Sequence, residues 1–304
     1  MIKFISVVFI FIFGLQFALP AFSAKKQKRD NNKQSIETTF IEKNFSEKKA
    51  REWESGREFI CVTHELPIFL AINDNMLSDN RDFKGSIFRY KILEEESSWQ
   101  GKESSFVFTC GEDTYRYKIK KSAADILNGD FKPLLPELVP LDYISLADSL
   151  LKGRNLYIKT PRWLDSMLID ISGRKFVPVT ITAVEAGDKI LPLRVVFRDE
   201  FGMTASVLTT MYVNSISAQY TTFDRLFSFT DPKNKYPNIK DDIWQLITSC
   251  KVTKGMTKDE CRLSVGNPDD VRQIPGYSGL CEQWFYNTGT YLVFQDGLLV
   301  SYRL

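Results

Sequence analysis

One histidine, His64 in Val62-Thr63-His64-Glu65, is the only imidazole in 304 residues. A serine or cysteine nucleophile activated by an imidazole would have to use it. It sits at the end of an apolar strand pattern, and no G-x-S-x-G turn occurs anywhere. H-E-x-x-H, Walker A, G-x-G-x-x-G and EF-hand patterns are absent too. The carboxylate runs Glu94-Glu95-Glu96 and Asp269-Asp270 read as solvated loops. The expectation is therefore no catalytic residue, no metal and no cofactor. A hydrolase built on two carboxylates stays open, because spacing alone does not reveal such a pair.

Five cysteines remain: Cys61, Cys110, Cys250, Cys261 and Cys281. No C-x-x-C occurs, so neither a redox motif nor a zinc ribbon is supported. Two readings are open. Cys61 and Cys110 lie in strands of one unit and form a disulfide, or all five are small buried hydrophobes.

Residues 1–24 carry Lys3, an apolar run from Ile5 to Leu19, Pro20, and Ala21-Phe22-Ser23 before a cleavage point. That is the pattern of a cleaved signal peptide. The run is shorter than the roughly 18–20 residues that span a bilayer. No cysteine lies near the cleavage point to take a lipid. The mature chain is expected in the periplasm or outside the cell, without a transmembrane span, at most peripheral to the outer membrane. There, disulfides are permitted.

The elements follow from the apolar spacing. Residues 25–55 are polar, KKQKRDNNKQ then EKKARE, and predict a tail and a charged surface helix from Ile36 to Trp53. Residues 56–120 alternate as strands: Phe59–Val62, then Phe88, Tyr90, Ile92, then Phe106, Phe108, Cys110, then Tyr115, Tyr117, Ile119 after the turn Gly111-Glu112-Asp113. Residues 121–153 hold a Pro-rich connector, Pro133 to Pro140, and a helix from Leu141 to Leu151 stopped by Gly153. Residues 154–222 form a second β unit: Leu156–Lys159, Phe176–Val184, Leu191–Arg198 and Thr204–Met211. Short strands at this spacing suggest a small, strongly bent, SH3-like barrel. Both units open on an apolar strand and close on a hairpin, as divergent copies would. Residues 223–237 are a junction.

Residues 238–304 are the most legible. Ile243, Leu246, Ile247 and Cys250 share a helix face, and Thr257–Glu260 is a capping box before a helix ended by Gly266. Three strands follow, with turns at Asn287-Thr288-Gly289 and Asp296-Gly297. This α-α-β-β-β order, with KGMTKDE (254–260), VGNP (265–268), EQWFY (282–286) and YLVFQDGLL (291–299), resembles the SmpA/OmlA, or BamE-like, domain. The resemblance implies two helices packed on a three-stranded antiparallel meander, similar to each half of the β-lactamase inhibitor protein. Known members are outer-membrane lipoproteins that assist β-barrel assembly by binding. This chain departs from them in lacking the lipidated cysteine and in carrying a long segment upstream.

The fold class expected is thus α+β and β-rich. With 43% apolar residues the chain can bury sizeable cores. With 40 basic against 38 acidic side chains it lacks the charge of a nucleic-acid binder. Strand alternation puts Trp284, Tyr286, Leu292, Phe294, Leu298 and Val300 under the helices. It leaves Phe285, Tyr291, Val293 and Leu299 on the opposite face, as a candidate interaction surface or a surface covered by the upstream unit. The function expected is an exported, non-catalytic protein that binds another envelope protein in envelope assembly or maintenance. Two alternatives are a cell-wall polymer binder using residues 154–222 and a secreted inhibitor of an envelope enzyme.

Overall fold

The alternating aromatic strands near the start of the chain build an antiparallel five-stranded sheet. The computed structural model describes residues 35–70, 81–98, 101–212, 221–276 and 279–304. The leader expected at 1–24 and the tail after it lie outside these residues. These described residues form one compact unit with three sheets and three apolar cores. It is mixed α+β and β-rich, as expected.

The first sheet holds β1 (Glu58–Cys61), β2 (Ile87–Ser98), β3 (Gly101–Cys110), β4 (Asp113–Ile119) and β5 (Leu138–Pro140), in the order β4-β3-β2-β1-β5. Phe88, Phe108 and Tyr115 are wholly buried beneath it with Ile126. β5 was expected to be connector. It is an edge strand, where a proline is tolerated. Glu94, Glu95 and Glu96 lie in β2 rather than in a loop. Lys102 on the neighbouring β3 pairs with Glu95 at 2.8 Å, and Arg116 on β4, one strand further, reaches Glu94 at 3.5 Å, which makes a carboxylate run tolerable there.

The segment expected to be a charged surface helix is instead a short helix, α1 (Ile36–Asn44), and an extended stretch. Its Ile41 and Phe45 are buried, and they join the second core rather than the first. Glu37 anchors it: one carboxylate oxygen accepts from the Ser228 hydroxyl at 3.1 Å and the Phe229 N–H at 2.9 Å. Helix α2 (Ala123–Asn128) covers the first core, and α3 (Leu141–Leu151) forms where the periodicity predicts it.

The second sheet has seven strands: β6 (Asn155–Ile158), β7 (Arg162–Leu164), β8 (Asp170–Ser172), β9 (Val177–Ala186), β10 (Leu193–Asp199), β11 (Thr204–Thr209) and, after the one-turn helix α4 (Phe223–Leu226), β12 (Phe227–Ser228). Their order is β12-β6-β9-β10-β11-β7-β8. Chain continuity forces this sheet to curl. Residues 159–161 join β6 to β7 and reach at most about 14 Å. Four flat strand spacings would hold the two about 19 Å apart. The two sheets also differ in strand number and order. The first part of the expected junction at 223–237 is core, since Phe223 and Phe227 are fully buried, while residues 234–237 are exposed.

In the last segment, α5 (Asp241–Thr248) and α6 (Lys258–Val265) cover a four-stranded sheet: β13 (Asp270–Gly276), β14 (Gly279–Phe285), β15 (Tyr291–Gln295) and β16 (Leu298–Arg303). The capping box is present. The Glu260 N–H donates to the Thr257 hydroxyl at 3.3 Å, and the Thr257 N–H to the Glu260 carboxylate at 2.7 Å. The added strand is β13, an edge strand without period-2 apolar alternation, so the sequence pattern missed it.

Candidate binding cavity

The expected interaction surface survives in part. Phe285, Tyr291 and Val293 are half-buried on the sheet face away from α5 and α6, with the Arg272 guanidinium 4.7 Å from the Phe285 ring centre. Leu299 does not belong with them. It is 1% exposed, in the core with Trp284, Leu292 and Phe294, while Leu298 and Val300 are exposed. The reason is the two-residue Asp296-Gly297 turn. It pairs Gln295 with Leu298 and Phe294 with Leu299, and cross-strand partners share a face. A bulge at Val293/Phe294 then shifts the register, so Val293 opposes Ser301.

Cys61 and Cys110 are free thiols. They lie on β1 and β3, with β2 between them. Two strand spacings, roughly 9.6 Å, exceed the separation of about 7 Å beyond which a disulfide cannot close. Burial pushes both thiols above their ordinary pKa, which keeps them protonated. His64 is exposed and its Nδ1 lies 3.1 Å from the exposed Asp82 carboxylate, a surface pair rather than part of a buried triad. Among the described residues, no group of three or more His, Cys, Asp or Glu is placed to hold a metal ion. Nor is any described helix long and apolar enough to cross a membrane.

The richest concave site is one the sequence reading passed over. The Glu54–Arg57 turn relies on Gly56, whose φ of 88° suits glycine, and sets Trp53 and Arg57 side by side. The Arg57 guanidinium carbon lies 5.0 Å from the Trp53 ring centre and 5.1 Å from that of Phe59. One Arg57 terminal nitrogen donates to Asp142 at 3.2 Å, and Lys48 donates to the same carboxylate at 2.8 Å. Burial opposes ionisation of Asp142, but those two cations outweigh it and hold the carboxyl below its usual range.

Around this pair opens a cavity of about 310 Å³. The Pro-rich stretch Lys132–Pro136 forms one wall, and Ile190 and Pro192, from the loop before β10, form another. Tyr143 of α3 and Tyr212 also line it, stacked at 4.5 Å with their planes 15° apart. Burial raises both phenols well beyond their ordinary pKa, so they contribute no anion. Lys48, Arg57, Lys132 and Lys189 line the cavity against one acid, Glu47, which pairs with Lys132 at 3.3 Å. The Trp53 indole N–H and the Arg57 Nε–H are buried and have no hydrogen-bond partner among the described residues. An orphaned buried donor costs roughly 1–3 kcal/mol until an acceptor reaches it. The sequence signal was Trp53, Gly56 and Arg57 in a polar stretch together with Pro133, Pro136 and Pro140. It becomes a site only when the connector folds back onto β1.

No protein-family model, no curated protein and no solved structure matches this chain.

Proposed function

We propose that the mature chain is an exported envelope protein that works by binding rather than by making or breaking bonds, and that it binds in the Trp53–Arg57 cavity. The observation that carries this reading is the pair of unpartnered N–H groups in the wall of an apolar, aromatic cavity. A wall-polymer reading asks for an aromatic groove on residues 154–222 alone. Here the groove is shared with the Pro-rich stretch and with Trp53, which favours a discrete ligand. The test is native mass spectrometry of the protein purified from its own envelope fraction, beside Ile190→Trp. Ile190 is 41% exposed at the rim, so the larger ring obstructs the mouth without entering a core. A bound mass on the wild type that is lost from the variant supports the reading. A bound mass kept by both places binding elsewhere, and no bound mass on either refutes it.

A second reading is favoured by a separate surface. We read residues 238–304 as a BamE-like domain with one added edge strand, a reading supported by the capping box and the Asp-Gly hairpin. On its open sheet face Phe285, Tyr291 and Val293 stay half-buried, with Arg272 and, opposite Tyr291, Arg303 beside them. That is a surface for another envelope protein presenting apolar and acidic side chains.

A further inference from the structure

Resting on the cavity reading, we infer that its ligand is a small anionic amphiphile: an apolar body seated against the prolines and aromatic rings, with a carboxylate or phosphate head at Arg57 and Trp53. Three observations converge on that class. The walls are largely apolar, from Pro133, Leu134 and Pro136 across to Ile190 and Pro192, and the volume of about 310 Å³ is at the small end for ligand sites. That fits a short chain or a single ring system, not a folded partner. The charge is one-sided. Lys48, Arg57, Lys132 and Lys189 face Glu47 and the adjacent Asp142, which leaves a surplus of positive charge. Nearby Glu137, whose pKa burial raises, reduces that surplus by at most one charge and leaves it positive. Of the three buried polar atoms without a partner among the described residues, Glu137 Oε2 is not on a lining residue, and the other two, the Trp53 indole N–H and the Arg57 Nε–H, are donors, to which an oxyanion is the complementary acceptor.

The alternatives leave a defect. A neutral apolar ligand would leave both donors unpaired in a drier cavity. A cationic amphiphile would meet like charge. An anion bound here gains charge-assisted hydrogen bonds from a side chain already held in place. Asp142 fixes one end of Arg57, and Trp53 and Phe59 lie against its guanidinium.

Isothermal titration calorimetry on the full mature chain tests this, using decanoate, decyl phosphate, decanol and decyltrimethylammonium below their aggregation concentrations. Decanoate or decyl phosphate is expected to bind one-to-one and at least about ten-fold tighter than decanol, a gap of about 1.4 kcal/mol. The ammonium probe is expected to give no binding heat. Which anion binds tighter distinguishes a carboxylate from a phosphate head. Trp53→Phe keeps the ring and removes the donor, and Arg57→Gln removes the charge. Each should erase most of the preference for the anion. Lys189→Glu, at an exposed rim position that cannot threaten the fold, should weaken the anionic probes and spare decanol. Decanol binding as tightly as the anions overturns the ligand class and leaves the cavity reading standing. No binding by any of the four overturns both.

Discussion

The ammonium of Lys175, just before β9, donates to the main-chain carbonyl of Ser264 in α6 at 2.6 Å. Lys175 is only 8% exposed, and its own N–H donates to the Thr248 carbonyl at 3.0 Å. Beside it Phe176, held at a φ of 58°, stacks on Trp244 of α5 at 5.8 Å. This short segment joins the curled second sheet to the helical layer of the last domain. Lys175→Ala would leave the Ser264 carbonyl at the end of α6 without its donor, while the main-chain bond to Thr248 at the end of α5 stays. It should lower stability by about 1–3 kcal/mol, and hydrogen exchange should quicken first in α5 and α6. Exchange that stays uniform across the chain would count against the clamp.

Glu282 ties α6 to the sheet. Its carboxylate accepts from Lys258 at 2.7 Å and from the Trp284 indole N–H. Burial opposes its charge, but the hydrogen bonds from Lys258 and Trp284 win and lower its pKa below the ordinary 4.5. A carboxyl whose pKa is lower when folded adds stability that is complete above its unfolded value and fades as pH falls through the folded one. Urea midpoints should therefore drop on acidification below about pH 4.5, and less steeply in Glu282→Gln. Glu37 shifts in the same direction, so the single variant flattens the profile only in part. A profile identical to wild type would exclude Glu282 as a source of acid sensitivity.

The two faces of the last sheet make opposite predictions. Leu299→Ala empties a packed site and should cost about 2–5 kcal/mol. Phe285→Asp with Tyr291→Asp alters the half-buried face and should leave thermal unfolding nearly unchanged while abolishing capture of a protein partner from the envelope fraction. A sharp fall in melting temperature for the double variant would show that the face is covered within the chain.

The β7–β8 hairpin displays Met167, Leu168 and Ile169, which are 73%, 48% and 55% exposed. Asp165 fixes the tip by accepting from the N–H groups of Met167 at 2.8 Å and Ile169 at 2.9 Å. Leu168 sits at a φ of 62°, where a branched side chain costs about 1–2 kcal/mol. Leu168→Gly relieves that strain and removes little burial. It should raise the melting temperature by about 2–4 °C for each kcal/mol relieved. An unchanged or lower value would mean that the leucine contributes packing at the tip.

Legibility followed periodicity. The long alternating strands β2, β3, β4, β9 and β10, the helix from Leu141, the Thr257 capping box and the Asp-Gly hairpin could all be read, because each leaves a local pattern. β5, β7, β8 and β12 are too short to show alternation, and β13 is an edge strand that lacks it. Leu299 was misplaced because alternation along one strand does not carry through a two-residue turn, where cross-strand pairing decides the face. Of the two readings open for Cys61 and Cys110, the strand order disfavours the disulfide for a related reason: membership of one sheet says nothing about which strand lies between. The cavity was invisible because its parts are far apart in sequence. Trp53 and Arg57, the 132–140 stretch and Tyr212 meet only through tertiary packing.

The anchoring of α1 has a topological consequence. Glu37 bonds to residues 228 and 229, while the whole first sheet lies between them in sequence. The first sheet is therefore an inserted lobe: from residue 35 the described chain begins in the second core, leaves to build another, and returns. It crosses between lobes twice, through residues 45–50 and again where β5 runs into α3. Glu47 and Lys48 belong to one crossing, and Val139, Pro140 and Tyr143 to the other. The cavity is thus lined by both crossings, so the two passages of chain that part the cores are also walls of the site.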